Sequence, residues 1–180
     1  MAASDEILAQ CDNVLPGHGP AMPIAARLRE IADSLGGEER PDAYGVGEYL
    51  QSFEAEVAGM FGSQAAVFMP SGTMAQQIAL RIWCDRKGRS TVAMHPTSHL
   101  EYAEHNGYQF LHGIRRIHFG APEALRQRLV TVKDLEALGD PPGVLLLELP
   151  CRPLGGLLPA WDALVSIRDW ARQRGVPMHL

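Results

Sequence analysis

Two clusters in this sequence have the residue types and spacing that chemistry needs. The first is Ser71-Gly72-Thr73, two hydroxyls around a glycine, set between the apolar run 65–69 with Pro70 and a stretch of helical period. Such a turn at a helix start offers free backbone N–H groups at the positive end of the helix dipole, a seat for a phosphate or a carboxylate. Gly72 lets an anion come close to the backbone. The plainer reading is that Ser71 or Thr73 only caps the helix. The second cluster is His95-Pro-Thr-Ser-His99-Leu-Glu101-Tyr-Ala-Glu104-His105. Three readings fit it. It is a solvated loop and helix start, or a metal site of a hydrolase using His95 and His99 with Glu104 or His105, or a histidine whose ring lies flat on an aromatic cofactor held by the neighbouring anion seat. Pro96 argues against the metal, because it breaks the helix that would align an i, i+4 pair.

The elements that must position these clusters follow from periodicity. Residues 65–69 read as a buried strand stopped by Pro70, and from Thr73 the pattern turns helical, with Met74, Ile78 and Ile82 on one face. Before them, residues 23–35 and 49–61 read as helices, each with one buried apolar stripe and each followed by glycine. Candidate strands begin near Ala65, Ser90, Arg115, Val144 and Val176, with helical or loop segments between them. That alternation predicts an α/β domain with a mainly parallel central sheet and flanking helices, its ligands gathered at the carboxyl ends of the strands. Thr131 to Asp134 has a capping-box pattern at the start of a short helix, and residues 161–174 form a longer one.

Composition bounds the function. The chain has 180 residues, 46% of them hydrophobic and 21% charged, enough for a core of ordinary domain size. A formal net charge of -5 with no basic tract argues against a nucleic-acid surface or a polybasic membrane contact. Small-molecule chemistry is the expected business. Cys11, Cys84 and Cys151 are scattered, with no CxxC pair, and fit a reducing compartment; no signal sequence or membrane-spanning run is read, so a cytoplasmic location is expected. His18 sits between two glycines in a turn-rich corner, as a loop residue or one facing a ligand. Arg152 is a solvated loop arginine or a carboxylate binder, and Glu148 a residue that holds a loop through backbone hydrogen bonds.

The segments FMPSGTMAQQIAL, HPTSHLE, LLLELPCRPLGGLLP and GVPMHL together resemble the threonine aldolase and β-eliminating lyase group of fold-type I pyridoxal-phosphate enzymes, over about residues 42–180. The resemblance implies that Ser71, Gly72 and Thr73 bind the cofactor phosphate and that His99 stacks on the pyridine ring and helps move protons. It implies retro-aldol cleavage of a β-hydroxy-α-amino acid to glycine and an aldehyde, and assembly as a homo-oligomer. Residues 1–48 are then an N-terminal helical and loop segment, and 49–180 part of the cofactor-binding large domain. In that group the segment matching VPMHL continues into Asp-Gly-Ala-Arg, whose Asp pairs with the pyridine nitrogen, and a Schiff-base lysine comes later. The lysines present here, Lys87 and Lys133, do not match that lysine. Little or no lyase activity is therefore expected of these 180 residues alone, leaving a non-catalytic phosphate- or partner-binding remnant as the rival. Where many aldolases of the group have Glu-Asn-Thr-His-Asn, this chain has Glu148-Leu-Pro-Cys-Arg152, so a related lyase of other specificity fits as well as threonine cleavage.

Overall fold

The computed structural model describes Ile7, residues 10–12, 22–119 and 127–180; His18 lies outside the described residues. The chain divides into two compact units, residues 1–68 and 69–180.

The first unit carries α1 (Ile24–Ser34) and α2 (Glu48–Phe61). Both helices stand where periodicity puts them, and α2 ends on Gly62 in the left-handed conformation. The Asp42 carboxylate accepts the N–H groups of Val46 and Gly47 at 3.1 Å each, which builds the turn into α2. The expected buried stripe of α1 is not buried: Ile24, Leu28, Ile31 and Leu35 are all exposed. On α2, Phe53 and Phe61 are exposed too, and Ala58 is its buried residue. Residues 65–69 are not the expected buried strand. Val67 and Phe68 are exposed, the Phe68 N–H donates to Glu54 Oε1 at 2.7 Å, and its ring stands edge-on to Phe53 at 6.3 Å. Apolar, β-branched composition fits a strand, but a strand exists only where another takes its hydrogen bonds, and among the described strands none pairs with this run.

The second unit begins with α3 (Gly72–Lys87) and continues with β1 (Thr91–Met94), α4 (His99–Tyr102), α5 (Gly107–Phe110), β2 (Arg115–His118), α6 (Val132–Glu136), β3 (Val144–Leu146), α7 (Trp161–Gln173) and β4 (Met178–His179). The sheet is parallel throughout, in the order β2-β1-β3-β4. Its strands coincide with four of the five expected.

Side-chain alternation along these strands sorts the core into two layers. Val92 and Met94 of β1, with Val144 and Leu146 of β3, pack beneath Leu80 and Cys84 of α3, Leu100 of α4 and Tyr108 of α5. Ala93, Leu145 and Leu147 point the other way, onto Leu135 of α6 and Ile167, Trp170 and Ala171 of α7. The face that α3 turns to the sheet carries Gln77, Leu80 and Cys84, not the apolar row; Met74 and Ile82 are each 45% exposed. β3 can lie beside β1 because residue 143 is glycine: a Cβ there would sit 2.2 Å from the Arg89 carbonyl oxygen. Instead the Gly143 N–H donates to Thr91 Oγ1 at 3.0 Å.

Candidate active site

The strand order fixes where a site belongs. From β1 the chain crosses through α4 and α5 to β2 on one side, whereas β3 lies on the other side of β1. The sheet therefore switches direction between β1 and β3, and a crevice opens outside their carboxyl ends. His95 to His99 follow β1 there, and Leu147 and Glu148 follow β3.

His95, the first residue past β1, is spent on structure. Its Nε2 lies 3.1 Å from the Arg128 carbonyl oxygen, so that nitrogen carries the hydrogen, and Nδ1 accepts the Thr97 N–H at 3.2 Å. With Thr97 Oγ1 also 2.8 Å from Nδ1, both ring nitrogens are engaged. The expected alternative of a metal held by His95, His99 and Glu104 or His105 does not match this arrangement. His105 is exposed, and among the described residues no group of three or more His, Cys, Asp or Glu is placed to hold a metal ion.

The turn fixed by His95 delivers His99 to the first position of α4, where its N–H has no partner within the helix. Glu148 takes that N–H on Oε1 at 2.6 Å, the loop-holding role expected of it. The His99 imidazole is oriented separately. Nδ1 lies 2.9 Å from Glu104 Oε1, the Tyr102 ring stands edge-on at 5.6 Å, and the side chain remains 41% exposed. The Glu104 side chain is only 2% exposed. Its two oxygens accept from Gln76 Nε2 at 2.6 Å and Gln77 Nε2 at 3.0 Å, both from the second turn of α3.

Those glutamines place the two expected clusters on one rim of the sheet. α3 runs back toward the start of β1, so its first turns stand over the carboxyl ends, and Gln76 is one helical turn from Thr73. At its N-terminus Ser71 Oγ accepts the Met74 N–H at 3.2 Å and the Ser71 carbonyl accepts the Ala75 N–H. Ser71 is thus the N-cap, and the N–H groups of Gly72 and Thr73 point outward from the helix start. Ser71, Gly72 and Thr73 are exposed, and a Cβ on Gly72 would meet nothing within 4 Å. An anion therefore has both donors and room.

Arg152 is exposed in a short 3₁₀ turn (Arg152–Leu154) that follows Cys151. It borders a cavity of about 720 Å³ together with Pro96, Thr97, Tyr102 and Pro153. Arg152 and Tyr102, whose ring stands edge-on to His99, thus border a common space. The lysines do not join it. Lys87 ends α3, about 22 Å along the axis from Gly72, and Lys133 lies in the first turn of α6, on the other face of the sheet. Gln76 and Gln77 escape sequence reasoning because glutamine in a helix reads as solvated; the available signal was a polar pair interrupting the sheet-facing side of α3.

Comparison with known proteins identifies the family and the fold. Low-specificity L-threonine aldolase 1 of Arabidopsis thaliana is 27% identical over an alignment of 151 residues that covers 77% of this chain and 40% of that protein. A crystal structure of a candidate L-allo-threonine aldolase from Listeria monocytogenes EGD-E, 40% identical, superposes with a TM-score of 0.82 over 90% of this chain and 44% of its own. A candidate aromatic amino acid beta-eliminating lyase/threonine aldolase from Exiguobacterium sp. 255-15, also 40% identical, gives 0.84 over 98% of this chain and 48% of its own. The chain spans less than half the length of each of these relatives. The parallel sheet with helices on both faces is that of fold-type I pyridoxal-phosphate enzymes. The beta-eliminating lyase profile matches residues 28–180, and the chain belongs to the beta-eliminating lyase family.

Proposed function

We propose that this chain forms the cofactor-binding part of a pyridoxal-phosphate carbon–carbon lyase that cleaves a β-hydroxy-α-amino acid to glycine and an aldehyde. The observation that carries the reading is the tie between the helix start at Ser71 to Thr73 and His99, through Gln76, Gln77 and Glu104, in a member of the beta-eliminating lyase family. The outward N–H groups of Gly72 and Thr73, with the Thr73 hydroxyl and the helix dipole, hold the phosphate. His99 covers the ring and offers its exposed nitrogen for proton transfer. Arg152, on the shared cavity, binds the substrate carboxylate. When bound, pyridoxal phosphate supplies the electron sink that lets the Cα–Cβ bond break.

Neither lysine stands near the helix start, so these 180 residues alone bind the cofactor without turning over substrate. A non-catalytic phosphate binder is the second reading that this placement favours. Homo-oligomeric assembly is part of the proposal, supported by the exposed apolar row of α1, as is a cytoplasmic location, supported by three unpaired cysteines. Among the described residues no helix is long and apolar enough to cross a membrane.

Titrating the chain with pyridoxal phosphate and with pyridoxal tests the proposal. Binding should require the phosphate, weaken with added inorganic phosphate, and leave no borohydride-trapped adduct at Lys87 or Lys133. Equal affinity for pyridoxal and its phosphate would overturn it.

A further inference from the structure

A carboxylate as deeply buried as Glu104 needs partners, because burying an ion without them costs more than a folded domain can spare. Among the described residues its side-chain partners include no Lys or Arg: the donors around it there are the Gln76 amide, the Gln77 amide and His99 Nδ1. We propose that Glu104 is a positioning residue, clamped by Gln76 and Gln77, that fixes His99 as the Nδ1-protonated tautomer and so leaves Nε2 as the acceptor.

An ionised carboxylate can only accept hydrogen bonds, so the hydrogen between Glu104 Oε1 and His99 must sit on Nδ1. A neutral imidazole then carries its lone pair on Nε2. The two amides donate to both carboxylate oxygens, so each oxygen serves as an acceptor. They also prevent it from turning away, since Gln76 holds one oxygen and Gln77 the other.

The backbone is shaped for this contact. His99 and Glu104 are five residues apart, a spacing that a continuing helix would not bring together. α4 instead stops at Tyr102, with the Ala103 N–H closing its turn on the His99 carbonyl, and directly after Glu104 the chain turns through His105 and Asn106, both with positive φ, 49° and 57°. A left-handed pair without glycine is a strained way to turn, and strain of this kind gathers where a side chain has to be aimed. Gly107 completes the device: a Cβ there would lie 2.8 Å from both Gln77 amide heavy atoms, so glycine lets that amide keep its place on the carboxylate.

The lock itself needs no cofactor; its role in catalysis rests on the proposed function, in which His99 meets the ligand. Selective ¹⁵N labelling of the histidine rings, with long-range ¹H–¹⁵N correlation at a pH where the rings are neutral, reads the tautomer directly. The His99 signals are assigned by their loss in His99→Ala. The wild-type chain should show the hydrogen on Nδ1. In Glu104→Gln the new amide can donate to Nδ1, and the hydrogen should move to Nε2. A wild-type ring protonated on Nε2 overturns the proposal, whether or not the variant folds, and so does a folded Glu104→Gln with the tautomer unchanged. Because the spectra are recorded without cofactor, a chain that shows the lock yet binds no pyridoxal phosphate rejects the functional reading and keeps this one.

Discussion

The His99 N–H donates to Glu148 Oε1 at 2.6 Å, across the gap between the carboxyl ends of β1 and β3. One bond thus ties the start of the short helix that presents the imidazole to the strand on the far side of the switch in the sheet. A hydrogen bond to a charged acceptor in a part-buried place contributes about 1.5–3 kcal/mol. Glu148→Ala should therefore lower unfolding free energy by about 2 kcal/mol in urea titration and speed hydrogen exchange of the His99 amide; Glu148→Gln, which keeps an acceptor, should lose about half as much.

At the helix start, stability and binding should separate. Ser71→Ala removes the side chain that accepts the Met74 N–H, so we expect a loss of about 1 kcal/mol. Gly72→Ala meets no neighbour and replaces glycine in a helix, so thermal unfolding should shift little or upward. Its methyl nevertheless occupies the space an anion needs. Phosphate-dependent binding of pyridoxal phosphate should drop at least tenfold, and unchanged binding would remove Gly72 from the seat.

His99→Ala should weaken pyridoxal phosphate binding more than His105→Ala does, because the His99 ring, just past the carboxyl end of β1, is oriented by Glu104 whereas His105 is an exposed turn residue. Equal effects by fluorescence titration would count against a ring-covering role.

Gly143→Ala should be among the most damaging single changes in the chain. A methyl 2.2 Å from the Arg89 carbonyl oxygen cannot be absorbed by a flexible side chain; β3 must move off β1. We expect a loss of about 3 kcal/mol or more, measured by chemical denaturation.

Acid should act through Asp134. Arg128 pairs with both its oxygens at 2.8 Å, and Thr131 adds a backbone N–H at 2.8 Å and a hydroxyl at 2.7 Å, which together hold its carboxyl well below the usual range. A carboxyl with a depressed folded-state value adds stability above its unfolded value, near 4, and that stability is lost as pH falls further. Asp134→Asn should cost about 1–2 kcal/mol at pH 7 and progressively less below pH 4.

The sheet was legible in the sequence because a parallel strand buried on both faces leaves a short apolar run between turn residues, as at Thr91–Met94 and Val144–Leu146. Thr131 and Asp134 were legible too, since a capping box is a local pattern. Residues 65–69 misled for the opposite reason: pairing is not local, and composition says nothing about whether a partner strand lies alongside. The Ser71 to Thr73 corner and His99 could each be singled out by type, but not the connection between them. Gln76, Gln77 and Glu104 meet only after two chain reversals, and an exposed glutamine and a buried one look alike in a sequence.

The strand order also dictates when the crevice can exist. β1 and β2 are neighbours joined by two short helices, while the partners His99 and Glu148 are separated by 49 residues and the Gly143–Thr91 bond by 52. On the ribosome a nascent chain can zip its first strand pair before the third strand has been made. His99 is then present but its amide is unheld, and half the rim is missing. The last long loop to close is the one that builds the crevice, so the competent rim should appear in the slow phase of refolding, together with the deepest core.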